Sequence, residues 1–224
     1  MKLLNSPLSP FAARVRLAIH DRSLPVEVVP SNMWTPERVK NPEFLAINPI
    51  GKVPTLVLDD GTALPESDTI VEYLADAFPQ ARLRPEEPRL AARGRLLARI
   101  CELYVMTPAF SGMFMQLFAA SRDEAAIDAA LARVVEGVGH LEHFMTDDAF
   151  AAGDRLTTAD CTLVPSLYFL GLIVGALGRD DPALARRRVA GYLERVQRVD
   201  SVQRVLGEMR AGLVGSRLAM LLPA

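Results

Sequence analysis

The spacing of apolar residues divides the chain into two unlike parts. In the first third, short apolar runs bounded by proline, glycine and aspartate predict strands over residues 2–5, 26–29, 55–58 and 62–64. Helical segments separate them, and the order predicts β-α-β-α-β-β-α with a right-handed parallel crossover between the first two strands. After residue 64, apolar residues recur every three or four positions, so only helices are predicted there.

The first helix has a clear start signal. Ser9 suits the N-cap position, and Pro10 suits the first helical position, where its missing N–H costs nothing. The helix is predicted to run to about Asp21. Its apolar residues share one face, and Arg14 and Arg16 are expected to lie elsewhere on it.

The first third is expected to form a small α/β domain over residues 1–78. Its last helix is predicted to be capped by Ser67 and to stop at Pro79. Residues 79–88 carry three prolines and several charges, which is typical of a linker. Residues 89–224 are expected to form an all-helical domain.

Three local signals organise the helical part. Pro108 is expected to break or kink a long helix. Ser121 and Glu124 have capping-box spacing, and Thr157 and Asp160 have it with aspartate in place of glutamate, which indicates a folding role for Asp160. Helices are predicted at about 90–106, 182–198 and 201–211. Two more are predicted between them, one that begins after Glu124 and one that follows Asp160 and ends at about residue 173.

Composition excludes some classes of protein. The formal net charge is −2 and half of the 224 residues are apolar, which gives no reason to expect nucleic acid or an anionic membrane as partner. No leader sequence and no apolar run of about 18 residues are recognised, so a cytoplasmic protein is expected. Cys101 and Cys161 are expected to be buried free thiols, and the arginines at 186–188 to be a solvated helix face.

Three strings occur together: SPFAARVR at 9–16, NPIGKVPTL at 48–56 and ESDTIVEYL at 66–74. In this order they resemble the cytosolic glutathione transferase family. The resemblance implies an α/β thioredoxin-like N-terminal domain, an all-α C-terminal helical bundle domain, a homodimer, glutathione as co-substrate and no metal.

The same resemblance assigns glutathione-binding residues. A proline at the start of a strand marks a bend or a cis bond, and in the family the bond before Pro54 is cis and the backbone of Val53 pairs with the cysteinyl part of glutathione. Glu66 and Ser67 stand at a helix start and would hold the γ-glutamyl end. Lys40 would meet the glycine carboxylate. A plain bend and a plain helix cap are the alternative interpretations.

Ser9 is the candidate catalytic residue. It aligns with the serine of zeta-like members and with the cysteine of omega-like members. At this position the resemblance implies that the Ser9 hydroxyl would stabilise the glutathione thiolate. An N-cap role alone is the alternative, and Ser6 is a weaker candidate. Because position 9 is not cysteine, mixed-disulfide transfer is disfavoured, and the missing S-S-C string argues against maleylacetoacetate isomerisation.

The expected reaction is attack of the thiolate on a small hydrophobic electrophile. Isomerisation, dehalogenation, peroxide reduction and a non-catalytic regulator or carrier are the alternatives. Glu136, His140 and His143 share a possible helix face, which suggests a solvated face before it suggests a metal site. The resemblance places the electrophile pocket beside the first loop and along the first long helix, with ordinary core packing as the alternative for each of Leu8, Met106, Phe110, Met113, Phe114 and Met115.

Overall fold

The computed structural model describes residues 1–29 and 42–222. Within these residues the N-terminal part contains a four-stranded mixed sheet in the order β2-β1-β3-β4. The first two strands are parallel, whereas β3 runs antiparallel to both of its neighbours. The strands are β1 (Lys2–Leu4), β2 (Glu27–Val29), β3 (Thr55–Val57) and β4 (Ala63–Pro65).

The sheet and its helices share one core. Leu3 of β1 pairs with Leu56 of β3, and both side chains are completely buried. The first β-α-β crossover is parallel, as the sequence predicts, and the whole arrangement has the predicted thioredoxin-like topology. The helices of this part are α1 (Pro10–Arg22), α2 (Pro42–Ile47) and α3 (Ser67–Ala77).

In the C-terminal part, α6 is the central helix. It packs against α1, α3 and α4, and 13 of its 19 residues are buried. Its length and its mean hydropathy of 1.6 would suit a membrane span, but 78% of the segment lies inside the fold. This corrects the expectation that no segment approaches a span. The helices are α4 (Pro88–Ile100), α5 (Glu124–Phe144), α6 (Thr158–Ala176), α7 (Arg187–Val196) and α8 (Asp200–Leu213).

Pro108 does not break the long helix, so of the predicted break or kink the break is wrong. The chain continues beyond α4 through π-helical segments at Cys101–Met106 and Ala109–Met113 and a 3₁₀ segment at Phe114–Phe118. Pro108 itself has φ −66° and ψ −34°, which are helical values. The π-helical turns on both sides of Pro108 accommodate a residue that has no backbone N–H to donate.

Two of the predicted caps are also wrong. Asp123 caps α5 by accepting a hydrogen bond from the Ala126 N–H at 3.0 Å, and Ser121 lies outside the cap. Glu66 is the N-cap of α3, with φ +69°, and Ser67 is its first helical residue. In both places a neighbouring residue takes the flanking backbone conformation that a cap requires.

The cap of α6 agrees with the prediction. The Asp160 carboxylate accepts from both the N–H and the hydroxyl of Thr157, at 2.8 and 2.9 Å. It also accepts from the Ala151 N–H and the Tyr192 hydroxyl, at 2.8 and 2.9 Å. Asp160 is fully buried, so its four donors fix the loop before α6 and α7 around one carboxylate.

The predicted linker is held on both sides. Leu83 is buried, and its carbonyl accepts from the Thr158 N–H at 2.8 Å. Arg84 donates to the Glu72 carboxylate at 2.7 Å and pairs with Asp76. These contacts tie the segment to α3 and to the start of α6.

Candidate functional site

A cavity of about 160 Å³ lies beside the N-terminus of α3. Four of the predicted glutathione-binding residues line it: Val53, Pro54, Glu66 and Ser67. Lys40 lies outside the described residues. Phe11 from the first turn of α1 and Glu102 from the π-helical segment complete the wall between the two parts of the chain.

The loop before β3 is shaped by a buried asparagine. The Val53–Pro54 bond is cis. Asn48 is 1% exposed, and its amide donates to the Lys52 carbonyl and to Thr55 Oγ1, each at 2.9 Å. Its side-chain oxygen accepts from a backbone N–H two residues later. In the sequence Asn48 is only one residue of the NPIGKVPTL string, and the structure shows that it supports the backbone on both sides of Val53.

The opposite wall is a helix start. Ser67 is buried, and Glu66 is exposed with a left-handed backbone. The first N–H groups of a helix lack partners within it and carry a partial positive charge. This end of α3 therefore suits a carboxylate, with the Glu66 carboxylate close in sequence to meet an ammonium group.

A buried arginine connects this wall to the C-terminal part. Arg14 is 1% exposed, and its Nη1 lies 3.4 Å from Ser67 Oγ and 3.3 Å from Asp68 Oδ1. Its Nη2 lies 2.7 Å from Glu102 Oε2 and 3.0 Å from Ser166 Oγ. The guanidinium therefore neutralises the carboxylates and fixes Ser67. The expectation that Arg14 lies away from the packed face of α1 is wrong, because these oxygen partners allow its burial.

Ser9 is the N-cap of α1, as predicted. Its Oγ accepts from the Ala12 N–H at 3.3 Å, and its own N–H donates to the Ser6 carbonyl at 3.1 Å. A serine hydroxyl can accept from the helix and still donate outward. Ser9 is half-buried and is not among the described residues that line the 160 Å³ cavity, whose nearest contribution from this turn is Phe11.

Arg16 holds the loop that leads to Ser9. Its Nη1 donates to Asn5 Oδ1 at 2.9 Å and its Nη2 to the Pro7 carbonyl at 2.8 Å. Its Nε lies 3.1 Å from Glu208 on α8. Burial lowers the pKa of Arg16 to about 10, although the Glu208 charge opposes this, so the guanidinium stays protonated near neutral pH. Its burial is a second correction to the predicted faces of α1.

The end of α8 packs directly on this loop. A Cβ added to Gly212 would lie 2.9 Å from the Leu8 backbone nitrogen and 3.0 Å from Pro7 Cγ. The close approach of helix and loop therefore requires glycine at this position. Sequence reasoning did not identify Gly212, Glu208 or Glu102, because their partners lie far away along the chain.

The proposed electrophile residues divide into two groups. Phe110 lies between aromatic neighbours, with ring centroids 5.3 Å from Phe11, 5.0 Å from Phe114 and 5.7 Å from Phe169. These rings lie beside the first turn of α1. Leu8 is half-buried and Met115 is 59% exposed. Met106 and Met113 are only 1% and 0% exposed, so the structure places these two in the core and not in a pocket.

The remaining chemical candidates lie elsewhere. In the described ranges, no three His, Cys, Asp or Glu side chains are grouped so that they could hold a metal ion. His140 Nε2 lies 3.9 Å from Glu136, and the His143 ring packs edge-on against Phe144. The first pair is exposed and belongs to the outer surface of α5.

The two cysteines are buried free thiols, as predicted. Burial raises the pKa of Cys101 to about 12, although the charge of Arg14 opposes this. Burial also raises the pKa of Cys161 well above its ordinary value. Both thiols therefore stay protonated and lack the nucleophilic thiolate form.

Comparison with known proteins decides the family. The profile of the glutathione S-transferase N-terminal domain matches residues 3–82, and that of the C-terminal domain matches residues 124–195. Glutathione S-transferase F13 of Arabidopsis thaliana is 33% identical over 191 residues, covering 81% of this chain and 86% of that protein. The chain belongs to the glutathione S-transferase family.

Other glutathione S-transferase relatives differ in their named activities. Maleylacetoacetate isomerase of Pseudomonas aeruginosa is 32% identical over 173 residues, covering 75% of this chain and 80% of the isomerase. Among solved structures, a sphingomonad glutathione S-transferase complexed with glutathione aligns with a TM-score of 0.73 at 25% identity, over 93% of this chain and 98% of that one. Glutathione transferase F7 of Populus trichocarpa aligns with a TM-score of 0.77 at 26% identity, over 93% and 98% of the two chains.

Proposed function

We propose that this protein is a glutathione S-transferase that activates the glutathione thiol for attack on a small hydrophobic electrophile. The observation that carries the proposal is the cavity in which the Val53–Pro54 loop faces the N-terminus of α3, beside the first turn of α1. Val53, Pro54, Glu66 and Ser67 line it together, although they come from two separate strings in the sequence.

Each part of glutathione has a chemical counterpart there. The backbone of Val53 would pair with the cysteinyl part as an added strand does. The N-terminus of α3 and Ser67 would hold the γ-glutamyl carboxylate, and Glu66 and Glu102 would face its ammonium group. Lys40 is proposed for the glycine carboxylate.

Ser9 would carry the chemical step. Its hydroxyl would donate a hydrogen bond to the sulfur, and the start of α1 would add positive potential, so the thiol pKa would fall from about 8.5 towards neutral. The thiolate then donates its electron pair to the electrophile. In an addition the product takes up a proton, and in a displacement a leaving group departs with the electrons of the broken bond.

The electrophile is proposed to lie against the aromatic side chains beside α1. Phe110 and Phe114 are half-buried there, with Leu8 on the adjoining loop. Aromatic rings offer an apolar surface with preferred offset or edge-on geometry, which suits a flat apolar molecule. In this arrangement the predicted domains, 1–78 and 89–224, supply the glutathione and electrophile sides respectively.

A cytoplasmic homodimer is the proposed form. Leu96, Leu103 and Tyr104 are 40%, 41% and 51% exposed, and their spacing of seven and eight residues places them on one side of the long helix. An exposed apolar stripe of this kind favours a subunit contact. Sedimentation of the purified protein would test it.

Isomerisation is the second candidate function. The relative from Pseudomonas aeruginosa is named a maleylacetoacetate isomerase, and it covers three quarters of this chain at 32% identity. The missing S-S-C string at the start of α1 argues against that particular reaction. Both reactions would use the same thiolate, so the electrophile decides between them.

The test combines binding with turnover. Calorimetry should detect both glutathione and S-methyl glutathione, with glutathione binding more tightly near neutral pH because only it can form a thiolate. Turnover is then measured with aryl halides for displacement and with a cis-dienone for isomerisation. Ser9→Ala should lower turnover about 10²-fold or more while leaving tripeptide binding nearly unchanged.

Ser6→Ala is the matched control, because Ser6 precedes the helix by one turn and should leave turnover almost unchanged. Equal activity of Ser9→Ala and the parent protein would refute the catalytic role of Ser9. Failure of both peptides to bind would leave the regulator or carrier, and Ser9 would then be only a helix cap.

A further inference from the structure

A second cavity lies at the other ends of α1 and α3. It is open, has a volume of about 620 Å³, and is formed by the end of α1, the approach to β2, the segment after α3 and the loop before α6. The 13 residues of α1 span about 20 Å, so this cavity lies well away from the start of that helix and from Ser9. Its volume is within the range of small-molecule sites.

Three arginines line this cavity, against a single aspartate. They are Arg22, Arg82 and Arg155, and the acid is Asp21, which leaves a formal charge of +2 on the lining. The overall protein carries −2, so the cavity is a local reversal of sign. Arginine is the side chain best suited to carboxylate and phosphate oxygens, because its planar fork can donate two parallel hydrogen bonds.

The three arginines differ in how far the protein already uses them. Arg22 is committed to Asp21 at 3.1 Å and to the Leu156 carbonyl at 2.7 Å. Arg82 pairs with Glu86 at 2.8 Å, but both side chains are mostly exposed and such pairs contribute little. Arg155 is half-exposed and, among the described residues, has no side-chain hydrogen bond or ion pair. Arg155 is therefore unpartnered among the described residues, and Arg82 is held only by an exposed carboxylate that a ligand can displace.

The rest of the lining gives the cavity an apolar side. Phe78 is half-buried and lies with Leu24, Pro25 and Ala81 on the wall of the cavity. Gln80 and Ser23 add neutral hydrogen-bonding groups at its edge. A ligand that fits this lining has a compact apolar or aromatic body and a strongly anionic end.

We propose that this cavity binds a small organic phosphate monoester. The phosphate lies between Arg155 and Arg82, and the organic part lies against Phe78. A phosphate monoester carries about −1.5 to −2 near neutral pH and offers three acceptor oxygens, enough for two guanidinium groups, whereas a carboxylate carries −1 and offers two. The site is independent of the proposed glutathione chemistry, because it shares no lining residue with the other cavity.

Calorimetry with phenyl phosphate tests the proposal, in the presence of saturating glutathione. Binding should weaken with added salt and should fall about tenfold in Arg155→Ala, the loss of one charged hydrogen-bond donor. Arg82→Ala should weaken binding as well. Arg122→Ala is the control, because Arg122 is exposed and lies outside the cavity, and this substitution removes the same net charge. Thermal unfolding of each variant checks that the fold is intact.

Comparison ligands make the result decisive. Benzoate and inorganic phosphate should each bind at least several-fold more weakly than phenyl phosphate, since benzoate carries a single negative charge and inorganic phosphate has no ring. No binding of phenyl phosphate, an equal loss in Arg122→Ala, or competition with glutathione would overturn the proposal. If benzoate binds as tightly as phenyl phosphate, the cavity does not select phosphate over other anions. If inorganic phosphate binds as tightly, contact of the organic part with Phe78 contributes nothing to binding.

Discussion

Arg14 carries its charge inside the protein, and its planar guanidinium reaches oxygens on three helical segments. Its partners are Ser67 and Asp68 on α3, Glu102 on the π-helical segment and Ser166 on α6. Its guanidinium carbon also lies 4.7 Å from the centre of the Phe11 ring. A single side chain therefore sets the position of the proposed γ-glutamyl end relative to both parts of the chain.

Replacing Arg14 by lysine should weaken glutathione binding about tenfold and lower the free energy of unfolding by about 1–3 kcal/mol. Lysine keeps the charge, but its ammonium cannot span the four oxygens that the fork reaches. Calorimetry and urea unfolding measure the two effects. The exposed Arg89 provides the control Arg89→Lys.

Positioning and folding can be separated in that variant. If Arg14 positions the tripeptide, the glutathione KM should rise while kcat at saturation changes less. If the rate instead falls by the same factor at every glutathione concentration, with KM unchanged, Arg14→Lys only reduces the folded fraction. The positioning role would then be withdrawn.

At the scale of elements, α8 determines where the Ser9 loop lies. Gly212→Ala should lower turnover and stability, because its Cβ would come within 2.9 Å of the Leu8 backbone nitrogen and move the loop. Gly207→Ala on the same helix meets nothing within 4 Å and should stabilise the protein by about 0.5–1 kcal/mol. Steady-state kinetics and thermal unfolding of the pair test the contact. Similar behaviour of the two variants would argue against it.

The start of α6 depends on one acceptor with four donors. Asp160→Asn would turn an amide NH₂ towards groups that all donate, so a loss of about 2–4 kcal/mol of stability is expected. Asp123→Asn is the control, because Asp123 is exposed and asparagine is an equally good N-cap. Urea unfolding compares them, and a small loss in Asp160→Asn would contradict the assignment.

At the scale of the whole molecule, Glu208 links acid stability to the α1–α8 contact. Burial alone would raise the pKa of Glu208, but His20, Arg16 and Arg204 lower it below its ordinary value. A lowered folded-state pKa contributes stability that is complete above the unfolded pKa of about 4.3 and is lost as the pH falls through the folded value.

Glu208→Gln should therefore destabilise the protein near neutral pH and flatten the acid side of the stability profile. Urea midpoints between neutral pH and about pH 3 measure this. Glu194→Gln is the control, since Glu194 forms only an exposed pair with Arg198. Parallel acid profiles for the parent protein and Glu208→Gln would disprove the linkage.

More of the fold than of the candidate site could be predicted from the sequence. Local signals such as Ser9-Pro10 and Thr157-x-x-Asp160 predicted element starts because capping is a short-range interaction. The strings around Val53 and Ser67 pointed to one cavity only through a family resemblance.

Long-range contacts explain what was missed. Arg14 and Arg16 look like surface residues until partners on α3, the π-helical segment, α6 and α8 are known, and nothing local in the sequence gives those pairings. Pro108 looked like a break because its effect depends on the wider helical hydrogen bonding around it. Met106 and Met113 share the composition of a pocket and of a core, and only their burial separates the two.

The Arg16–Glu208 contact has a consequence for the exchange of domains between relatives. The loop that presents Ser9 is built at the beginning of the chain, but its support is synthesised almost 200 residues later. A hybrid that joins this N-terminal part to a foreign helical part would inherit the arginine without its carboxylate and the loop without its glycine floor. Active hybrids should therefore be those in which α8 comes from the same parent protein as the N-terminal part. The N-terminal part and α8 would then have to be exchanged together.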